Sequence, residues 1–229
     1  RASQSERQPG SVFKILASFA PALDMGKITA GTVIEDAPFT IKEYDNYTPK
    51  NHWKTGHRGL TSIREAIVTS ANVVTVKNMY YTGIDNCFEY LKNFGFTTLR
   101  DEVDEQGITD KVPAASLGGI GGILQTEVAA AYGSIANLGK LNKAKFYTKV
   151  VDRNGEIILD NTVPEDVQVL KEGTAYILTD MMRDSLEPDD GRTSGGTGVK
   201  AKFRNIDMPV AGKTGTTTEI KDLTFVGYT

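Results

Sequence analysis

Three short polar elements in this chain hold residue types that together could transfer an acyl group. Ser11-Val12-Phe13-Lys14 sets a hydroxyl and an amine at i and i+3. Those positions share one face of a helix, so the two groups can meet. A serine becomes a nucleophile when a nearby base takes its proton, and a desolvated lysine can act as that base. A helix N-terminus at Ser11 also favours negative charge developing there. Ser-x-x-Lys arises by chance as a cap followed by a surface lysine. Here the flanking Val12, Phe13, Ile15 and Leu16 are apolar, and a lysine in that company needs a reason to be there. Ser70-Ala71-Asn72 follows at the end of a helix and, taken alone, reads as a polar loop. Lys213-Thr214-Gly215-Thr216 ends an apolar strand. Its amine, hydroxyls and small glycine suit a strand lying along a carboxylate-bearing ligand.

Rival chemistries fit less well. A phosphate-binding GxxxxGK[ST] loop ending at Gly212-Lys213-Thr214 needs glycine at position 207, where Asp207 stands. The glycines from Gly118 to Gly122 fail G-x-G-x-x-G, because Leu124 takes the last place. His52 and His57 fall in an irregular stretch with no Ser-His-Asp pattern and read as solvated loop side chains. The single cysteine, Cys87, allows no internal disulfide and no CxxC metal site, so no metal or cofactor is expected. Twenty-six Lys+Arg against 29 Asp+Glu give a net charge of −3. That balance argues against a nucleic-acid partner.

These residues need a scaffold. A chain of 229 residues with 39% hydrophobic and 24% charged residues is an ordinary globular composition. A chain of this size buries roughly 70% of its unfolded surface. No run of 18 apolar residues occurs, and both ends read as cuts through a running domain. From Val12 to Leu23 the sequence predicts a helix apolar nearly all round and hence buried, with Pro21 kinking or ending it. Residues 36–60 read as a long irregular segment. Ser62-Ile63-Arg64-Glu65 is a capping box that starts a helix running into Ser70. Further helices are expected from Val73 to Tyr81 and from Asp85 to Phe94, closed by Gly83 and Gly95. A flexible loop over 118–122 leads to an Ala-rich helix capped by Thr126. Asn154-Gly155 marks a hairpin. A helix over 171–187 should bury Ala175, Ile177, Leu178, Met181 and Met182, and 188–198 reads as mobile. Pro209 to Thr216 and Leu223 to Tyr228 read as two strands joined by a polar turn. The class is α+β.

The three elements, in this order, resemble the signature set S-x-x-K, S-x-N and K-T-G of the penicillin-binding and serine β-lactamase superfamily. Longer stretches sharpen the likeness. Gln8-Pro9-Gly10-Ser11-Val12-Phe13-Lys14, Tyr47-Thr48-Pro49-Lys50-Asn51, Leu60-Thr61-Ser62-Ile63-Arg64-Glu65-Ala66, Gly212-Lys213-Thr214-Gly215-Thr216-Thr217 and Phe225-Val226-Gly227-Tyr228-Thr229 resemble the transpeptidase domain of class A penicillin-binding proteins. The resemblance covers nearly the whole chain. It implies helices packed around an antiparallel sheet, incomplete at both ends. It also implies a glycosyltransferase domain and a membrane anchor that these residues do not include.

By the same resemblance Ser11 is the acylated nucleophile and Lys14 its base. Ser70 relays a proton to the leaving amine, Asn72 orients the substrate amide and Lys14, and Lys213 supplies an electropositive setting. Thr214 and Thr216 bind the donor's terminal carboxylate, and Gly215 leaves room for the ligand backbone. The backbone N–H groups of Ser11 and Thr216 form the oxyanion hole. The implied reaction cross-links peptidoglycan stem peptides at the outer face of the bacterial cytoplasmic membrane. Its partners are D-Ala-D-Ala donors and β-lactams, other cell-wall synthesis proteins are possible partners, and membrane contact runs only through the anchor. A D,D-carboxypeptidase or a β-lactam-sensing domain would share the same residues. A class A β-lactamase would need a deacylating Glu in an E-x-x-L-N context, which is not found.

Overall fold

The buried helical run near the start of the chain organises everything else. The computed structural model describes residues 2–54, 56–163, 165–191, 193–203, 207–217 and 221–229. After the short strand β1 (Glu6–Arg7) the backbone turns helical with a 3-10 turn at Gly10–Val12. It widens to a π-turn over Ile15–Phe19 and tightens into α1 (Ala20–Asp24). Val12, Phe13, Ile15, Leu16 and Phe19 are all at most 1% exposed, as an all-round apolar helix demands. Pro21 does not end the run. It sits in the first turn of α1, where the spacing changes from π to α and a missing N–H costs least.

The next elements wrap this run. β2 (Val33–Asp36) pairs antiparallel with β3 (Gly59–Ser62), Val33 opposite Ser62. The irregular segment expected over 36–60 therefore has strands at both its ends. β3 passes directly into α2 (Ile63–Val68), and the Ser62 hydroxyl accepts from the Glu65 N–H at 3.1 Å. The reciprocal half of the capping box is not made. The Glu65 carboxylate instead takes Arg58 at 2.9 Å and the Ser194 N–H at 3.1 Å. α3 (Asn72–Thr82) and α4 (Ile84–Asn93) follow, separated by Gly83.

The stretch 118–122 is packed rather than flexible: Ile120 is buried, and a Cβ on Gly118 would lie 2.4 Å from the Gly10 carbonyl oxygen. β4 (Ile123–Leu124) pairs with β1. α5 (Gln125–Ala136) starts one residue before Thr126, which therefore does not cap it. β5 (Lys140–Leu141), the hairpin of β6 (Lys149–Val151) and β7 (Ile157–Asp160), and β8 (Val167–Gln168) precede α6 (Glu172–Asp184). In α6, Ala175, Leu178, Met181 and Met182 are buried, whereas Ile177 turns outward. The segment expected to be mobile is bonded to what precedes it, Gly196 N–H to Glu187 O and Gly198 N–H to Ser185 O, each at 2.9 Å. β9 (Ala211–Thr216) and β10 (Leu223–Tyr228) form an antiparallel pair, and the turn between them lies partly outside the described residues. All strand pairing is antiparallel, in five two-stranded ribbons among the described residues. The core is shared by the first helical run and α2 to α6.

Candidate active site

Ser11 stands where three backbones come unusually close. Gly10 has φ +58°, and a Cβ there would lie 2.8 Å from the Thr216 carbonyl oxygen and 3.1 Å from its nitrogen. Only glycine takes that conformation and that contact without strain. On the other side Gly118 packs against Gly10, as described above. Gly215 completes the junction. Its absent side chain would point into the protein, 2.2 Å from Thr224 Oγ1, 2.8 Å from the Pro9 carbonyl oxygen and 3.0 Å from Val12 Cγ1. Its reason is therefore not room for a ligand, as the sequence suggested, but close docking of β9 on the helix that carries Ser11. The Thr224 hydroxyl donates to Pro9 O at 3.3 Å and holds the same junction.

Lys14 is completely buried. Its amine contacts Ser70 O at 2.6 Å, Ser70 Oγ at 3.0 Å and Asn72 Oδ1 at 2.5 Å. No hydrogen bond joins it to the Ser11 hydroxyl, contrary to the i, i+3 expectation, because its partners lie across the core at the α2–α3 corner. Ser70 reaches them from a left-handed backbone, φ +57°. For a non-glycine residue this stores roughly 1–3 kcal/mol and persists only where the surroundings enforce it. Here Ser70 N–H to Ile67 O at 3.2 Å and Ala71 N–H to Ala66 O at 2.9 Å fix the corner.

Along β9 the side chains alternate. Lys213 and Gly215 face inward and are buried, whereas Thr214 is half-buried and Thr216 exposed. Among the described residues the Lys213 amine has one hydrogen bond, to its neighbour's carbonyl, Thr214 O, at 3.1 Å. The Thr214 hydroxyl pairs with that of Thr197 at 2.7 Å. Burial, reinforced by the Lys213 charge, pushes the Lys14 amine well below its ordinary value. Burial alone lowers Lys213 to about 7. No described acidic side chain forms a salt bridge with either amine. The pocket therefore holds uncompensated positive potential whenever one amine is protonated, a setting for an anion. Burial raises the Cys87 thiol to about 12, so it is not a nucleophile at neutral pH.

A cavity of 940 Å³ is lined by Ser11, Ser70, Asn72, Thr214, Gly215 and Thr216, among others. Lys14 and Lys213 sit behind its wall. The structure thus brings all eight residues named from the sequence to one place, Lys14 and Lys213 as buried groups rather than as lining. His52 also lines this cavity, and its imidazole is lowered by burial first and then by Lys14, Lys213 and Arg58. The other histidine is not a free loop side chain either: His57 Nδ1 lies 3.2 Å from Asp36 Oδ1. Nothing in the local sequence marks these placements. Ser11, Asn72 and Thr216 also line a second cavity of 260 Å³, whose wall includes Tyr47 and Ala114. The two cavities share Ser11, Asn72, Thr216 and Thr217 and so adjoin at the serine.

Residues 1–229 match the family model described as the penicillin binding protein transpeptidase domain. Penicillin-binding protein 1A of Clostridium perfringens (strain 13 / Type A) is 35% identical over 241 residues, covering 100% of this chain and 33% of that protein. The chain spans a third or less of the length of the curated relatives it matches. The crystal structure of penicillin-binding protein 1A from Haemophilus influenzae has the same fold, with a TM-score of 0.81 at 23% identity over 100% of this chain and 37% of that one. The D,D-transpeptidase domain of a peptidoglycan glycosyltransferase from Eggerthella lenta gives 0.76 at 27% identity, covering 99% of this chain and 58% of that one.

Proposed function

Since this chain belongs to the penicillin-binding protein transpeptidase family, we propose that it is a D,D-transpeptidase that cross-links peptidoglycan stem peptides through an acyl-Ser11 intermediate and is inhibited by β-lactams. The observation that carries this reading is the buried Lys14 amine, shared by Ser70 and Asn72 behind a cavity that Ser11 lines.

In the neutral form that burial favours, the amine has two N–H donors and one lone pair. Ser70 O and Asn72 Oδ1 can only accept and take the donors. The lone pair is left to accept a proton, and the Ser70 hydroxyl at 3.0 Å stands on that side of the amine. Ser11 Oγ attacks the carbonyl of the D-Ala-D-Ala bond, and its proton passes to Lys14. Hydrogen bonds of this kind often close only in the substrate complex. The negative charge on the tetrahedral oxygen is met by the backbone N–H groups of Ser11 and Thr216, supported by the glycine contact that holds β9 against Gly10. Lys14 returns the proton through the Ser70 hydroxyl to the nitrogen of the departing D-Ala. The acceptor amine then attacks the acyl-serine, and the same groups run in reverse.

The donor lies along β9, whose outer edge has no strand partner among the described residues, as an added antiparallel strand. Its terminal carboxylate meets Thr214 and Thr216, with Lys213 supplying charge. The second cavity at Ser11 favours a second substrate over water, and hence transpeptidation over a carboxypeptidase. Residues 1–229 are read as the transpeptidase domain of a longer protein acting at the extracytoplasmic face of the membrane, where its substrate is; no helix among the described residues is long and apolar enough to cross a bilayer.

Incubation with a fluorescent penicillin followed by peptide mapping tests the proposal. Label on Ser11 is expected, and its absence or its appearance on another residue overturns the reading. With a stem-peptide donor and an acceptor amine, cross-linked product is expected beyond simple D-Ala release.

A further inference from the structure

The carboxylate of Asp36, at the end of β2, is completely buried and lies away from both cavities. A buried carboxylate is costly unless its oxygens are satisfied, and here every donor among the described residues comes from one stretch of chain. The Asn51 side-chain N–H group donates to Oδ1 at 2.8 Å and to Oδ2 at 3.0 Å. The Arg58 backbone N–H donates to Oδ2 at 2.8 Å, and His57 Nδ1 lies 3.2 Å from Oδ1. The acid thus gathers Asn51, His57 and Arg58 around itself.

Asn51 is the residue through which this matters. With its nitrogen committed to Asp36, its Oδ1 accepts from the N–H groups of Asn72 at 2.9 Å and Val73 at 3.2 Å. These are first-turn donors of α3, which no local side chain caps. The preceding residue grips the same target, since the Asn72 side-chain nitrogen donates to Lys50 O at 2.7 Å. That bond leaves Asn72 Oδ1 as the atom facing the Lys14 amine. Each amide has its nitrogen on an acceptor and its oxygen on a donor, so the orientation of both is set by the network.

We infer that Asn51, oriented by Asp36, is a positioning residue for the Asn72–Lys14 pair, so that the acid at the end of β2 sets the geometry of the acyl-transfer cluster. This rests on the function proposed above. Neither residue touches the Ser11 cavities; both act through Asn72. The Lys77 amine, donating to Glu35 O at 2.7 Å, ties β2 to the same helix and gives the network a fixed base.

The test exchanges the two partners. Asn51→Asp keeps an oxygen for the α3 N–H groups but sets a carboxylate against Asp36. Combining it with Asp36→Asn restores one donor and one acceptor in the reverse order. With a fluorescent penicillin, Asn51→Asp should lower the limiting rate of Ser11 acylation by about tenfold or more, the cost of slight misplacement of reacting groups. The noncovalent dissociation constant should stay within about twofold. The double variant should recover to within about threefold of the parent. The inference is overturned by an Asn51→Asp rate within twofold of the parent, or by a folded double variant no faster than the single one. Should Asn51→Asp not fold, Asp36→Asn alone is read: a several-fold slower limiting rate supports the coupling and an unchanged rate overturns it. If the parent takes no label at Ser11, it is the proposed function that falls. A crystal structure of Asp36→Asn then decides the coupling, upheld if Lys14 Nζ leaves Asn72 Oδ1 and overturned if it stays.

Discussion

Two buried amines with no buried acid beside them set the behaviour of single residues. Lys14→Met keeps most of the side-chain volume and removes the lone pair proposed above to take the Ser11 proton. Penicillin acylation should fall by about 10²-fold or more, the usual contribution of a positioned base. Thermal stability should change little, because the cost of burying the amine goes while Ser70 O and Asn72 Oδ1 lose their donor. Near-normal labelling would show that another group activates Ser11. Lys213 gives a pH signature. In the unfolded chain it keeps its proton to about pH 10, but in the folded chain it releases it near 7. Between those values the unfolded state binds more protons, so stability rises with pH, by up to about 1.4 kcal/mol per pH unit from this residue. Melts at pH 7, 8 and 9 should show that rise, and Lys213→Met should reduce it while leaving the share that the depressed Lys14 amine contributes with the same sign; a flat parent profile would contradict the burial argument. Ser11, Lys14, Ser70, Asn72 and Lys213 were legible in sequence because their types and order are unusual together. Asn51 and Asp36 were not, because a helix cap supplied from the Tyr47–Asn51 stretch leaves no pattern at the helix it caps.

At the scale of elements the site depends on how closely β9 lies on the first helical run. Gly215→Ala would place a methyl 2.2 Å from Thr224 Oγ1 and 2.8 Å from Pro9 O, and the latter is backbone that cannot yield cheaply. Overpacking of this kind typically costs about 1–3 kcal/mol. A lowered melting temperature together with slower acylation is therefore expected. If the glycine instead made room for ligand, penicillin affinity would drop while the melt stayed at the parent value, so paired melting and binding measurements separate the two. The helices, the β6–β7 hairpin and the β9–β10 pair were readable from periodicity and turn residues. Two of the failures share one cause, tertiary contact overriding local preference. Glu65 left its capping box for Arg58 and Ser194, and the glycines at 118–122 became a packed seat for Gly10 rather than a flexible loop.

At the scale of the whole molecule, what the sequence could not display is that Ser11 has two sides. The larger cavity gathers β9, β10 and the Ser70–Asn72 corner. The smaller gathers Gln8, Tyr47, Ala114 and Leu117, residues from segments that meet only in three dimensions. On the proposed cross-linking function, the smaller space would give a second chain its way to the acyl group on Ser11. If the smaller space admits the acceptor, filling it should impair the second step alone. Ala114 is half-buried on its wall, in the 3-10 turn Pro113–Leu117. Ala114→Leu adds bulk at that wall, and Ala114 does not line the larger cavity. Acylation by penicillin should stay within about threefold of the parent, since the donor side is intact. Attack by an acceptor amine on the acyl-enzyme should fall about tenfold or more, as displaced reacting atoms cost at least that much. Hydrolysis by water, which needs little room, should change least, so the ratio of cross-linked to hydrolysed product should drop. If both products fall in proportion, or acylation falls with them, the smaller cavity is not the acceptor's route and both substrates must enter along β9.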